Sequence, residues 1–254
     1  MIHHLTRILH LVAGDMPMRR QSLDASMVDY WEQRQRTDAT MARRRARIAR
    51  RMESVAEEIE DGSTVLEIGC GSGDLLDVIR GRRPNCSLKG IDLSPEAVQV
   101  ARTRGFDVEQ RDVMSLDPNA TDPVDFIVLS EVLEHLSDPE TVLMRCGSIA
   151  RRRIIVTIPN VAFVLHRIRL GLFGKFPVTT VFHIREHLSL WSVSDFLFWA
   201  DRIGFRVVST KGFGGVTSFG MNELWPNLLA TQALYVLERK ERDHGSMREY
   251  EWQP

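Results

Sequence analysis

Three glycines at alternate positions, Gly69-Cys-Gly71-Ser-Gly73, follow the apolar run Thr64-Val-Leu-Glu-Ile68 and precede Asp74-Leu-Leu. Glycines so placed allow a tight turn and bring bare backbone close to a ligand. The charges beside them choose among ligands. A phosphate-cradling loop of the Gly-x-x-x-x-Gly-Lys type needs a lysine, and none follows. The dinucleotide spacing Gly-x-Gly-x-x-Gly also fails: its last position falls on Asp74 counted from Gly69 and on Leu76 counted from Gly71. Glu67 and Asp74 set carboxylates beside the loop, which repel a pyrophosphate and attract a cation. S-adenosylmethionine, with a sulfonium and an α-ammonium, suits such a loop.

Two further acids follow in order. Asp92 ends a second apolar run, Ser87-Leu-Lys-Gly-Ile-Asp92, about twenty residues past the loop. That position bonds ribose hydroxyls in nucleoside-binding parallel sheets. Two hydroxyl bonds to a charged acceptor, at roughly 1.5–3 kcal/mol each, would make Asp92 a main source of affinity. Asp112 follows a third run, placed to accept from an adenine amino group, with the Val113 amide open to a ring nitrogen. The plainer role for Asp74 and Asp112 is to cap a helix or turn.

Methyl transfer from a sulfonium is an in-line displacement with a good leaving group, so the protein mainly positions donor and acceptor. A general base is needed only where the nucleophile must lose a proton. Glu131, Glu134 and His135, just past the run Val124–Ser130, are candidates, with capping of the local turn as the alternative for Glu134 and His135. His183-Ile-Arg-Glu-His187 matches a zinc-peptidase pattern, but that pattern needs a helix and a third downstream ligand. No metal site is therefore expected. His183 and His187 remain candidate acceptor contacts or bases, or stabilisers of their loop. Phe163, Phe173, Phe176, Phe182 and Trp191 could line an apolar acceptor site or pack as core, and Tyr30-Trp31 could close the cofactor site. Arg167, Arg169, Lys175 and Arg185 would favour an acceptor carboxylate or phosphate, unless they are solvated surface.

Short apolar runs alternating with helix signals must position these groups. Strands are expected at Thr64–Ile68, Ser87–Asp92, Phe106–Gln110, Val124–Ser130 and Arg153–Ile158. Ser94-Pro-Glu96, Asp138-Pro-Glu140 and Ser192-Val-Ser-Asp195 each read as a helix start. Alternation of this kind builds a parallel sheet with right-handed crossovers. A late strand pair follows at Gly204–Thr210 and Thr231–Glu238, joined by a long link, Lys211–Ala230. Asn160–Leu190 is an insertion of about thirty residues, with Leu188–Leu190 strand-like, and loops of that length are usually functional. Met27–Ile59 reads as helix, rich in arginine between Arg34 and Arg51: a solvated face or a nucleic-acid contact.

The chain has 254 residues, 43% hydrophobic and 26% charged, with a formal net charge of −1. That composition excludes a disordered or fibrous chain and a global field for nucleic acid or anionic membrane. Cys70, Cys86 and Cys146 make no disulfide framework, which fits a reducing, cytoplasmic setting. No apolar run approaches the ~18 residues of a membrane span. Met1–Gly14 reads as a short amphipathic helix, because histidines and Arg7 interrupt the apolar core that a secretory signal needs. Three parts are expected: a helical extension over 1–60, a main domain over 61–240 and a charged tail over 241–254.

Val65-Leu-Glu-Ile-Gly-Cys-Gly-Ser-Gly73, Gly90-Ile-Asp-Leu-Ser-Pro95, Arg111-Asp-Val113, Asp125-Phe-Ile-Val-Leu-Ser-Glu-Val-Leu-Glu-His-Leu136 and Ile158-Pro-Asn160 together resemble the class I S-adenosylmethionine-dependent methyltransferases over about residues 60–212. Ile158-Pro-Asn160 followed by Arg167–Val178 is similar, more loosely, to the MetW-type methyltransferase-like proteins of bacteria. The first resemblance implies an α/β, Rossmann-like sheet of seven strands, mostly parallel with an antiparallel last strand. It implies that Glu67, Gly69, Gly71 and Gly73 hold the methionine part and that Ser130 lies against its end. It gives the ribose to Asp92, with Leu93 beside it, and the adenine to Asp112 and Val113. The expected activity is methyl transfer from S-adenosylmethionine to a small-molecule acceptor, with no nucleic-acid partner. The MetW-like segment implies an alternative, a cofactor-binding partner that regulates a methionine-pathway acyltransferase; the arginine-rich helix offers an RNA methyltransferase as a third. The assembly state is left open, a homodimer included.

Overall fold

The computed structural model describes residues 41–176, 187–216 and 220–240. Helix α1, Met41–Glu57, leads in and buries Val55 and Ala56, with Ile59 beyond it, in the core. Strand β1 is Thr64–Ile68, helix α2 Asp74–Arg82, strand β2 Ser87–Asp92, helix α3 Pro95–Thr103 and strand β3 Asp107–Gln110. After a 3-10 turn at Val113–Ser115 come β4, Val124–Ser130, a second 3-10 turn at Leu133–His135, α4, Pro139–Ile149, and β5, Ala150–Pro159. Then follow α5, Val164–Phe173, α6, Val193–Arg202, β6, Phe205–Phe213, two single-turn helices, α7, Met221–Leu224, and α8, Pro226–Leu229, and finally β7, Gln232–Arg239.

The seven strands form one sheet in the order β3-β2-β1-β4-β5-β7-β6. Only β7 runs against the rest, pairing antiparallel with both β5 and β6. This is the Rossmann-like α/β architecture expected of the sequence. Both faces of the sheet are covered, so the central strands are apolar on both sides. Leu66, Ile68, Ile127 and Leu129 face Val142, Leu143, Phe196 and Ala200 of α4 and α6. Their alternate neighbours Val65, Phe126 and Val128 face Val55, Leu75 and Ile79 of α1 and α2, as the two-residue strand period requires. The order reverses at β1, which has β2 on one side and β4 on the other. Open α/β sheets bind ligands in the crevice at that reversal, beyond the carboxyl ends of the strands.

The helix starts are built as their residues dictate. Ser94 accepts from the Ala97 amide at 3.2 Å and Asp138 from that of Thr141 at 3.0 Å, each with proline next in the chain. Ser192 and Asp195 form a reciprocal capping box. Differences lie in the two long links. The insertion holds α5, whose N-cap Phe163 makes no side-chain bond, so no polar start signal announces it. Leu188–Leu190 is not a strand; its backbone is tied instead to Glu134, whose carbonyl accepts from Leu188 and Ser189 at 2.7 and 3.1 Å. In the later link β6 continues to Phe213, and Asn160 Nδ2 donates to the Ala230 carbonyl at 2.8 Å, fixing α8 beside the end of β5. Met27–Thr40, Tyr30-Trp31 included, lies outside the described residues.

Candidate active site

The glycine loop is a backbone scaffold at the sheet reversal. The amides of Gly69 and Cys70 donate to the Ile91 carbonyl at 2.8 and 3.1 Å, binding the loop to the end of β2. Gly69, Gly71 and Gly73 all have positive φ. A Cβ at Gly69 would lie 2.6 Å from Val132 Cγ2, and one at Gly73 2.9 Å from Phe106 Cδ2. A Cβ at Gly71 would meet nothing within 4 Å, so there the loop presents bare backbone to open space.

Asp92 is tied to this loop. Its Oδ2 accepts from the Gly71 amide at 2.7 Å and its Oδ1 from the Ser94 amide at 2.9 Å. A carboxylate oxygen has capacity for a second donor, so these bonds orient the group and leave it able to accept hydroxyls. Behind the loop Glu67 is 3% exposed, and its Oε2 has no hydrogen-bond partner. Burial, then the charges of Asp92 and Asp74, push its carboxyl well above the usual carboxylate range; Arg51 opposes them. A buried carboxyl with one oxygen held by the Leu76 backbone and the other unsatisfied, beside bare loop backbone, is chemistry that an ammonium or sulfonium ligand can complete. Asp74, directly after the loop, is largely exposed and pairs with Arg104 at 2.7 Å, while its charge still raises the Glu67 carboxyl.

The adenine-side candidates lie along the same rim. Asp112 Oδ1 accepts from the Met114 amide at 2.8 Å, capping the turn at Val113–Ser115. Val113 is half-buried, and Leu93 is 58% exposed. Ser130 turns its hydroxyl to within 3.1 Å of Thr157 Oγ1 on the neighbouring strand.

Past β4 stand the acid–base candidates. Glu131 has φ of 59°, the one positive value outside glycine among the described residues. A non-glycine residue in the left-handed region costs energy that surrounding contacts must hold. Those contacts are the Thr157 carbonyl, which accepts from its amide at 2.9 Å, and Gln232 Nε2, which donates to Oε2 at 2.7 Å. Arg51 Nη1 stands 3.3 Å from the same oxygen. Glu134 is 1% exposed, with no hydrogen-bond partner for either carboxylate oxygen. Burial first, and Glu131 second, push its carboxyl well up. His135 Nε2 stands 3.9 Å from Glu134 Oε1. The rings of His135 and His187 meet edge-on, with centroids 4.8 Å apart. His183, Phe182 and Arg185 lie outside the described residues.

Arg51, Gln232 and Thr157 were not singled out from the sequence as site residues. Arg51 is 9% exposed, stands 3.3 Å from Glu131 past β4, and its charge opposes the upward shift of both Glu67 and Glu134. It lies four residues before buried Val55 on one face of α1, a spacing that marks it as inward within a run read as solvated.

Residues 49–237 match a family model described as "Methionine biosynthesis protein MetW". The ubiquinone biosynthesis O-methyltransferase of Thiobacillus denitrificans is 35% identical over 96 residues, which cover 35% of this chain and 40% of that protein. The bifunctional methionine biosynthesis protein MetXA/MetW of Rhodopirellula baltica is 31% identical over 133 residues, 49% of this chain and 21% of that one. The chain thus spans less than half the length of these relatives. Among solved structures, magnesium protoporphyrin IX methyltransferase of Synechocystis PCC 6803, with bound SAH, superposes with a TM-score of 0.60 at 17% identity, covering 84% of this chain and 94% of that one. A putative methyltransferase in complex with the Haloferax volcanii Trm112 activator gives 0.61 at 19% identity, covering 85% and 99%. At such identities the likeness is one of fold.

Proposed function

The chain belongs to the MetW methionine-biosynthesis family, and from that premise we propose that it binds S-adenosylmethionine and transfers its methyl group to a small-molecule acceptor. The observation that carries this reading is the buried Glu67 carboxyl, with its Oε2 unsatisfied, behind the bare backbone of Gly71, with Asp92 fixed beside it. Bound there, the cofactor supplies an electrophilic methyl group on sulfur. Glu67 answers the α-ammonium, and Gly69, Gly71 and Gly73 give the methionine part close backbone contact. Asp92 holds the ribose hydroxyls, with Leu93 flanking, while Asp112 and Val113 hold the adenine. Ser130, with Thr157, borders the methionine end. Arg51, the buried cation whose charge acts on both Glu67 and Glu134, is placed to answer the α-carboxylate. On the acceptor side His135, beside Glu134, borders the space past β4, and a general base is needed there only where the attacked atom must lose a proton. His187 and His183 contribute to the acceptor wall. A cytoplasmic setting is part of the same proposal; among the described residues no helix is long and apolar enough to cross a membrane.

Methyl-labelled cofactor incubated with the chain and a small-molecule extract of its source should yield a labelled product other than protein or RNA. Methylation by the isolated chain would separate this role from that of a cofactor-binding subunit of an acyltransferase. Absence of any labelled product, together with co-purification of an acyltransferase, would favour that second role, to which the name of the Rhodopirellula baltica relative points.

A further inference from the structure

We propose that Glu134, His135 and His187 form a site for a divalent transition ion of the zinc class. One ligand atom from each lies within 4.8 Å of the other two. Ligands held about 2.1 Å from a tetrahedral ion stand roughly 3.4 Å apart, so closure needs each atom to move by only about an ångström. The Glu134–His135 pair, at 3.9 Å, is nearly there. Two imidazoles and one carboxylate are a donor set that suits zinc, and three protein ligands leave a position open for water or substrate oxygen.

One feature argues for a cation and a second shows that the cluster is held in place. Neither oxygen of the buried Glu134 carboxylate has a hydrogen-bond partner, and a buried carboxylate is costly unless a donor or cation answers it. The third ligand is also held by backbone: the carbonyl of Glu134 accepts from Leu188 and Ser189, the two residues after His187. That clamp brings His187 about fifty residues along the chain to the turn carrying the other two ligands. The nearby Arg51 is paired with Glu131 at 3.3 Å, which reduces its repulsion of a cation. In the sequence His187 groups with His183 and Glu186 of its own segment, and no metal is expected there; the fold sets it beside Glu134 and His135 instead.

Metal binding does not depend on the methyltransferase reading, although use of the open position to acidify an acceptor hydroxyl would rest on it. Full-length chain without a polyhistidine tag, stripped by chelator and dialysed, would be titrated with Zn²⁺ by calorimetry. Titration with Co²⁺ would be followed by visible absorption. One equivalent should bind, with the intense d–d bands of low-coordinate cobalt. His187→Asn and Glu134→Gln should each weaken binding by at least the ~10–100-fold that loss of an outer-sphere partner costs. His187→Asn keeps the proposal testable should the buried Glu134→Gln variant fail to fold. Asp92→Ala should keep full metal affinity even as cofactor binding weakens, so failure of one proposal leaves the other standing. Binding of no ion, or binding that survives His187→Asn and vanishes with His3→Ala/His4→Ala, would overturn the proposal.

Discussion

Glu67 contains the most direct residue-scale consequence. Its folded carboxyl is raised, chiefly by burial, above the ordinary value of 4.5. The unfolded chain therefore loses this proton first as pH rises. Stability falls from about the ordinary value up to the raised one and is level beyond it. Glu134 adds a change of the same sign. Glu67→Gln removes one of the two penalties: it should flatten part of that decline and stabilise the ligand-free chain by on the order of 1–3 kcal/mol at pH 8, where a buried, incompletely satisfied charge is most costly. Urea denaturation at pH 5 and pH 8 checks this. The same variant should bind S-adenosylmethionine more weakly, since the ammonium loses its counter-charge. A gain in stability with unchanged affinity would mean that Glu67 is not part of the site. The loop glycines divide in a parallel way. Gly71→Ala meets open space and should cost only the left-handed penalty of about 1–2 kcal/mol, with its main effect on ligand affinity. Gly69→Ala adds a clash with Val132 and should lower the melting temperature further.

At the scale of elements, legibility followed local chemistry. Thr64–Ile68, Ser87–Asp92 and Val124–Ser130 are the strands expected from sequence, residue for residue. Each is a short apolar run stopped by glycine, turn or capping residues. The helix after Ser192 was equally plain, because Ser192 and Asp195 carry both halves of a capping box. Ser192→Ala should cost about 1 kcal/mol in chemical denaturation, the ordinary loss for an N-cap hydroxyl. What stayed hidden depended on contacts distant in sequence. α5 has no capping side chain to announce it. Arg51 looked like one of many solvated arginines until the fold set it beside Glu131. His187 joined Glu134 and His135 through a backbone clamp that no short motif encodes. Of the site itself, the glycine loop and Asp92 could be read because fixed spacing after a strand specifies them. The acceptor side could be read only as a set of alternatives.

For the whole molecule, a near-neutral total conceals separated charge. Glu67 and Asp92 border the carboxyl edge of the sheet. At the opposite edge Arg151, Arg152, Arg153, Arg206 and Arg239 line a cleft of ≈ 510 Å³. Several of those arginines are already engaged: Arg153 and Arg206 share Glu238, and Arg152 pairs with Glu60. Paired cations of this kind attract phosphate weakly, so the chain should not retain RNA at physiological salt; a filter-binding titration over a salt series checks it. The strand reversal, by contrast, gathers a buried carboxyl with an unsatisfied oxygen, bare backbone and a fixed aspartate in one crevice. The central claim is that this crevice selects a cationic nucleoside. Calorimetric titration of the purified chain with S-adenosylmethionine and, separately, with NAD is its most direct test. One equivalent of S-adenosylmethionine should bind and NAD should not, and Asp92→Ala should weaken the former at least tenfold. Binding of NAD, or S-adenosylmethionine affinity untouched by Asp92→Ala, would contradict it.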